Sequence, residues 1–132
     1  MNLPSPGQFV PELQIEPITR TTLALFAGGS GDHNPVHIDS DAAHNAGYPD
    51  VFAHGMLSNA YLARMLTDWV GQERILSLEV RFTAITPVGA APLCRGRITE
   101  VDPQAGTATL AVDVVLEDGT VTVTGEALIT TN

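Results

Sequence analysis

At 132 residues, 44% of them hydrophobic and 16% charged, the chain has the length and composition of one globular domain that buries its own core without a disulfide or metal staple. Fifteen acidic residues stand against six basic ones, all arginine, for a formal charge of −9; ligands that need clustered cations, nucleic acid and anionic membrane surfaces, are excluded, and the acidity reads as solubility. No run of about 18 apolar residues offers a membrane span. The opening MNLPSPGQFVPELQ lacks a basic region leading into an apolar one, and the lone Cys94 has no internal partner, so a cytoplasmic protein without an export signal is expected.

Pro4, Pro6 and Pro11 mark the start as an extended arm. Leu13 and Ile15 alternate with Gln14 and Glu16, a short strand. Thr19 is placed to cap a helix whose Leu23, Phe26 and Ala27 share a face, with Gly28 and Gly29 as its stop. Asp39 or Ser40 caps a second short helix, ended by Gly47. From Gly55 to about Val70 apolar residues lie nearly all round a third helix, which predicts burial on most of its sides.

The period then changes. Leu76, Leu78, Val80 and Phe82 alternate with polar residues as in a half-buried strand. A less regular strand covers Leu93 to Val101, and Asp102-Pro103 to Gly106 forms a turn. Ala108, Leu110, Val112, Val114 and Leu116 alternate strictly. Asp118-Gly119 signals a hairpin, beyond which Val121, Val123, Ala127 and Ile129 continue. Helices followed by antiparallel strands make an α+β fold, a single domain over residues 1–132. A strongly curved sheet around the long helix buries both patterns most economically.

The chemistry concentrates in GDHNPVHID, Gly31 to Asp39. His33 and His37 would share a helix face as metal ligands, but Pro35 disfavours helix at Asn34, and no Cys or Glu cluster lies nearby; no metal is expected. Ser30, Ser58 and Cys94 lack the surroundings of a nucleophile. Asp32 and His37, five apart across a chain that Pro35 bends, are positioned to converge. A carboxylate and an imidazole sharing one water activate it and return its proton; the plain alternative is a turn-capping aspartate beside a satisfied histidine. Next comes FAHGML, Phe52 to Leu57, where Gly55 permits close approach to the free N–H groups of a helix start, an oxyanion site for a carbonyl gaining negative charge. His33, His44 and His54 are read as structural or solvent-facing.

Residues 26–57, FAGGSGDHNPVHIDSDAAHNAGYPDVFAHGML, resemble the MaoC-like dehydratase family, the (R)-specific enoyl-CoA hydratases of the hot-dog fold. The family pattern of Gly-Asp-x-Asn-Pro-[Ile/Val]-His-x-Asp followed by Ala-His-Gly-Met is present in order, and VRFTAITPV, Val80 to Val88, is similar to a family strand. The resemblance implies a single hot-dog domain: an antiparallel curved sheet wrapped around a long buried helix. It implies a hydro-lyase that adds water across the C2–C3 double bond of a trans-2-enoyl thioester. Asp32 and His37 would be the catalytic pair, Asn34 a supporting residue and Gly55 the backbone donor to the thioester carbonyl. Gly55, Met56, Phe52 and Arg81 would contact the substrate, with neither metal nor redox cofactor. The implied partners are an acyl-CoA or acyl-carrier-protein thioester and a second hot-dog subunit, in a homodimer, a higher oligomer or a heterodimer. The rival functions are a hot-dog thioesterase and a non-catalytic acyl-binding subunit.

Overall fold

The computed structural model describes residues 4–132; the first three residues of the proline-marked arm lie outside the described residues. From Gly7 onward that arm runs along the sheet. Gly7 N donates to Ile98 O at 2.7 Å and Val10 N to Gly96 O at 2.8 Å.

Five strands form one antiparallel sheet: β1 (Leu13–Gln14), β2 (Ile75–Phe82), β3 (Leu93–Asp102), β4 (Thr107–Val115) and β5 (Val121–Thr130), in the order β1-β3-β4-β5-β2. The chain therefore crosses from one edge to the other between β2 and β3, and β2 pairs with β5 alone. Three helices complete the fold: α1 (Arg20–Ser30), α2 (Ser40–Asn45) and α3 (Gly55–Val70). None is long and apolar enough to cross a membrane, among the described residues.

The main core lies between α3 and the sheet. Leu62, Met65 and Leu66 pack there against Cys94, Ile98, Leu110, Val114 and Ile129. All five predicted apolar positions from Ala108 to Leu116 are buried, as strict alternation requires of a strand with one face inward. Burial pushes the Cys94 thiol up to about 12, which makes it an inert core residue. A second core of Ile18, Leu23, Ala43, Val51, Ala53 and Leu57 fastens α1 and α2 to the start of α3.

Three expectations need correction. First, α1 does not stop at Gly28-Gly29. It continues to Ser30, and Gly31 caps it in the left-handed region (φ 80), donating to Ala27 O; two helical glycines weaken a helix without ending it, whereas a positive φ ends it. Thr19 is the N-cap, as read. Second, α3 is not buried on most sides. Leu57, Ser58, Leu62, Met65 and Leu66 form one buried stripe, while Met56 is 56% exposed; one sheet covers only one face of a helix. Third, Leu76 is exposed. A register shift between Ile75 and Ser77 turns it outward, leaving Ile75, Leu78 and Val80 as the half-buried residues.

Where β2 meets β5, a Cβ on Gly125 would lie 2.4 Å from the Glu79 carbonyl oxygen. Only glycine fits, because that oxygen belongs to the paired backbone itself. The variant G125A is expected to lose about 1–3 kcal/mol of unfolding free energy in urea denaturation; an unchanged midpoint would show that β2 and β5 part freely.

Candidate active site

The loop after α1 is built by short polar side chains satisfying nearby amides. Asp32 N donates to Ser30 Oγ at 3.2 Å, Asn34 N to Asp32 Oδ1 at 3.3 Å, and Val36 N to Asn34 Oδ1 at 3.3 Å. Asn34 thereby caps a single 3₁₀ turn, Pro35–His37, with the proline in the first turn, where its missing N–H is tolerated. Asp39 caps α2 by accepting from Asp41 N at 2.9 Å. Asn34 and Asp39 are thus loop builders.

The turn delivers His37 inward, to 8% exposure. Its Nδ1 lies 2.8 Å from the Phe52 carbonyl oxygen. A carbonyl only accepts, so Nδ1 carries the hydrogen and the neutral ring keeps its lone pair on Nε2. That Nε2 stands 3.9 Å from Asp32 Oδ2, too far for a direct hydrogen bond and close enough for one water to touch both. Asp32 is half exposed on its side chain, so the pair opens toward solvent.

His54 completes the cluster, and its role was not legible beforehand. It is not solvent-facing: it is 1% exposed and stacks on His37 with centroids 4.0 Å apart and planes at 27°. Its Nε2 donates to the Asp32 backbone carbonyl at 3.1 Å, and its buried Nδ1 has no partner. Burial holds the imidazole below the ordinary histidine range, aided by the charge of His37 and opposed by the bond to Asp32. His33 is exposed, and His44 Nε2 bonds the Pro49 carbonyl at 2.7 Å. The donor atoms of Asp32, His37 and His54 lie within 4.8 Å of one another, close enough to hold a metal ion. Among the described residues that trio, not the His33–His37 pair weighed from spacing, is the group whose ligand atoms come together.

A further clamp acts from outside. Arg20 forks onto Asp50, which also accepts from Ser40 Oγ at 3.2 Å and Val51 N at 2.7 Å. The Arg20 hydrogen bond holds the Asp50 carboxyl down at about 2. This ties α1 and α2 to the segment that presents the Phe52 carbonyl.

Gly55 opens α3, and a pocket of about 250 Å³ lies against it, lined among others by Phe52, Ser58, Phe82, Ile85 and Thr86. A Cβ on Gly55 would sit 3.1 Å from the Phe82 ring, so glycine keeps the helix start open at this wall. Phe52 joins pocket and pair, packing edge-on against His37 at 4.9 Å. Met56 is exposed beside the same helix end. Arg81 does not join the group: on a strand, neighbours face opposite ways, and it lines a separate groove with Glu79, Thr124 and Glu126. Ser58, Phe82 and Thr86 escaped sequence reasoning because only the fold brings them to the helix end.

Residues 4–121 match the family model described as MaoC like domain. The chain is 29% identical over 114 residues to the (R)-specific enoyl-CoA hydratase of Rhodospirillum rubrum, covering 85% of this chain and 78% of that protein. It is 27% identical over 130 residues to the fatty acid synthase subunit beta of Saccharomyces cerevisiae, covering 96% of this chain but only 6% of that much longer protein. Among solved structures it resembles the (R)-hydratase of A. caviae involved in PHA biosynthesis, with a TM-score of 0.90 and 25% identity over the whole of both chains.

The pH dependence of stability tests the burial of His54. The unfolded chain binds a proton at His54 near pH ~6.5, whereas the folded chain does so only at lower pH. The unfolded state thus holds more protons below that point, and stability falls as pH drops through it. The midpoint of thermal unfolding is expected to decline more steeply between neutral and mildly acidic pH in the native protein than in H54F; equal slopes would contradict a buried, neutral His54.

Proposed function

The chain belongs to the MaoC-like domain family, and from that premise we propose that it is an (R)-specific enoyl-CoA hydratase, a hydro-lyase working reversibly on trans-2-enoyl thioesters. The observation that carries the reading is the 3.9 Å gap between His37 Nε2 and Asp32 Oδ2, set beside the open helix start at Gly55. A water in that gap is held by an acceptor on each side. As its oxygen bonds to C3, the C2–C3 π electrons move toward the thioester oxygen, where the Gly55 N–H meets the developing charge. Asp32 and His37 together take the proton released by the water and return it to C2, so water is added whole and the site regains its starting protonation. Dehydration runs the same steps backwards. No electrons are gained or lost, so the reading calls for no redox cofactor, and both proton positions are served by side chains without a metal.

The substrate we propose is an acyl-CoA thioester. Three arginines are engaged with acids, Arg20 with Asp50, Arg64 with Asp68 and Arg95 with Asp113; Arg74, Arg81 and Arg97 remain among the described residues for phosphate groups. We also propose that the chain works as a dimer or a larger assembly of hot-dog subunits. The β2 edge supports this, since Leu76 and Phe82 are exposed on it and Ile85 just beyond it, and an apolar edge strand is a surface that proteins usually cover. A cytoplasmic location fits the buried, unpaired Cys94.

Incubation with crotonyl-CoA is expected to remove the enoyl absorbance without releasing thiol, giving the (R)-3-hydroxy product. D32N is expected to lower kcat by roughly 100- to 10,000-fold with unchanged thermal stability. Release of free thiol would show a thioesterase instead, and full activity in D32N would overturn the role of Asp32.

A further inference from the structure

The pocket ahead of α3 is lined by three hydroxyl side chains that the chemistry above leaves unused, Ser58, Thr86 and Thr122, and of these Ser58 alone belongs to α3. Ser58 follows Gly55 by three residues, which places the two on one face of the helix. Helical side chains lean toward the helix N-terminus, so the Ser58 hydroxyl is carried back over the first turn, where the amides have no partners within the helix. Both residues line the same pocket.

Ser58 is 2% exposed, yet its Oγ takes part in none of the side-chain hydrogen bonds among the described residues. A helical serine commonly satisfies itself on the carbonyl four residues back. Here that carbonyl is His54 O, which accepts from Leu57 N at 3.0 Å. Among the described residues the fully enclosed side-chain polar atoms without a partner are His54 Nδ1 and Asn59 Oδ1; Ser58 Oγ is not one of them, so its unbonded hydroxyl opens onto the pocket. The other helical candidate for packing alone would be alanine, which fits a helix better than serine does. The pocket's Thr122, by contrast, already donates to the Val114 carbonyl at 3.5 Å.

We propose that the Ser58 hydroxyl is a second donor to the thioester carbonyl oxygen, beside the Gly55 N–H. The inference rests on the hydratase reading. In the ground state the carbonyl takes one hydrogen bond from each donor. As the C3–O bond forms and negative charge collects on the thioester oxygen, both bonds strengthen. When the proton returns to C2 the charge leaves, and Ser58 keeps its own hydrogen throughout. Two donors fixed on one helical turn hold the oxygen in the plane that the enolate needs, and they do so against a mostly apolar pocket wall.

The test uses the whole chain and two variants, S58A and S58C; the cysteine keeps the shape and offers only a weak donor. Two quantities are read: kcat with crotonyl-CoA, and the infrared carbonyl stretch of bound butyryl-CoA, whose saturated chain cannot add water. Both variants are expected to lose about 100-fold in kcat, the usual scale for one oxyanion donor, with KM changed only a few-fold. The carbonyl stretch should move to higher frequency in both, since the carbonyl is less polarised. Native kcat in the variants, or a lost kcat with an unmoved stretch, would overturn the proposal. The second pattern would give the hydroxyl a structural duty, such as serving the orphaned His54 Nδ1. If the native protein itself fails to hydrate crotonyl-CoA, the hydratase reading falls and this inference with it; native turnover with indifferent variants removes the inference alone.

Discussion

The hydrogen bond from His37 Nδ1 to the Phe52 carbonyl, 2.8 Å long, is the constraint on which the site depends. It joins two segments fifteen residues apart and decides which nitrogen of the His37 imidazole is basic. Were the tautomer reversed, Nε2 would present a hydrogen toward Asp32 and the pair would have no vacant acceptor on the histidine side. Both ends of the bond are held independently. On the histidine side, Gly31 ends α1 with a left-handed turn, and Asn34 with Pro35 builds the single turn that aims the ring inward. On the carbonyl side, Phe52 bridges to Pro87 in the sheet connection, and Ala53 N donates to Thr86 O at 2.8 Å.

Around this bond the fold supplies rigidity at little electrostatic cost. His54, kept neutral by burial, stacks on His37 without placing a positive charge beside it, and it ties down the backbone of Asp32. The Arg20–Asp50 ion pair lies at the surface, where such pairs contribute little to stability; its value is geometric, because Asp50 bonds Val51 N directly ahead of Phe52. The two cores divide the work. One anchors α3 to the sheet and fixes Gly55, while the other holds α1 and α2 against the start of the same helix.

Much of this was legible from residues alone, for identifiable reasons. The bounds Gly55–Val70 of α3 follow from apolar spacing, and the β4 pattern follows from strict alternation with one face buried. The Asp32–His37 convergence was readable because Pro35 forces a local bend, and local geometry is what sequence encodes most directly. The sheet order was not readable, since the β2–β5 pairing is set across the whole curled sheet. Leu76 misled because a one-residue shift in register inverts a side chain while leaving composition unchanged. His54 was read only as structural or solvent-facing for a similar reason: its stacking on His37 arises only when segments seventeen residues apart are folded together. Ser58 looked like an unremarkable helical serine until the pocket beside it was in view.

The central claim is that the protein itself fixes His37 with a hydrogen on Nδ1 and a lone pair on Nε2, ready to share a water with Asp32. Nitrogen-15 NMR of the histidine rings in the unliganded protein reads this directly, because protonated and bare ring nitrogens have well-separated shifts. Neutral His37 is expected in the Nδ1–H form. Finding the hydrogen on Nε2 would contradict it, because the nitrogen facing Asp32 would then be a donor and not a base.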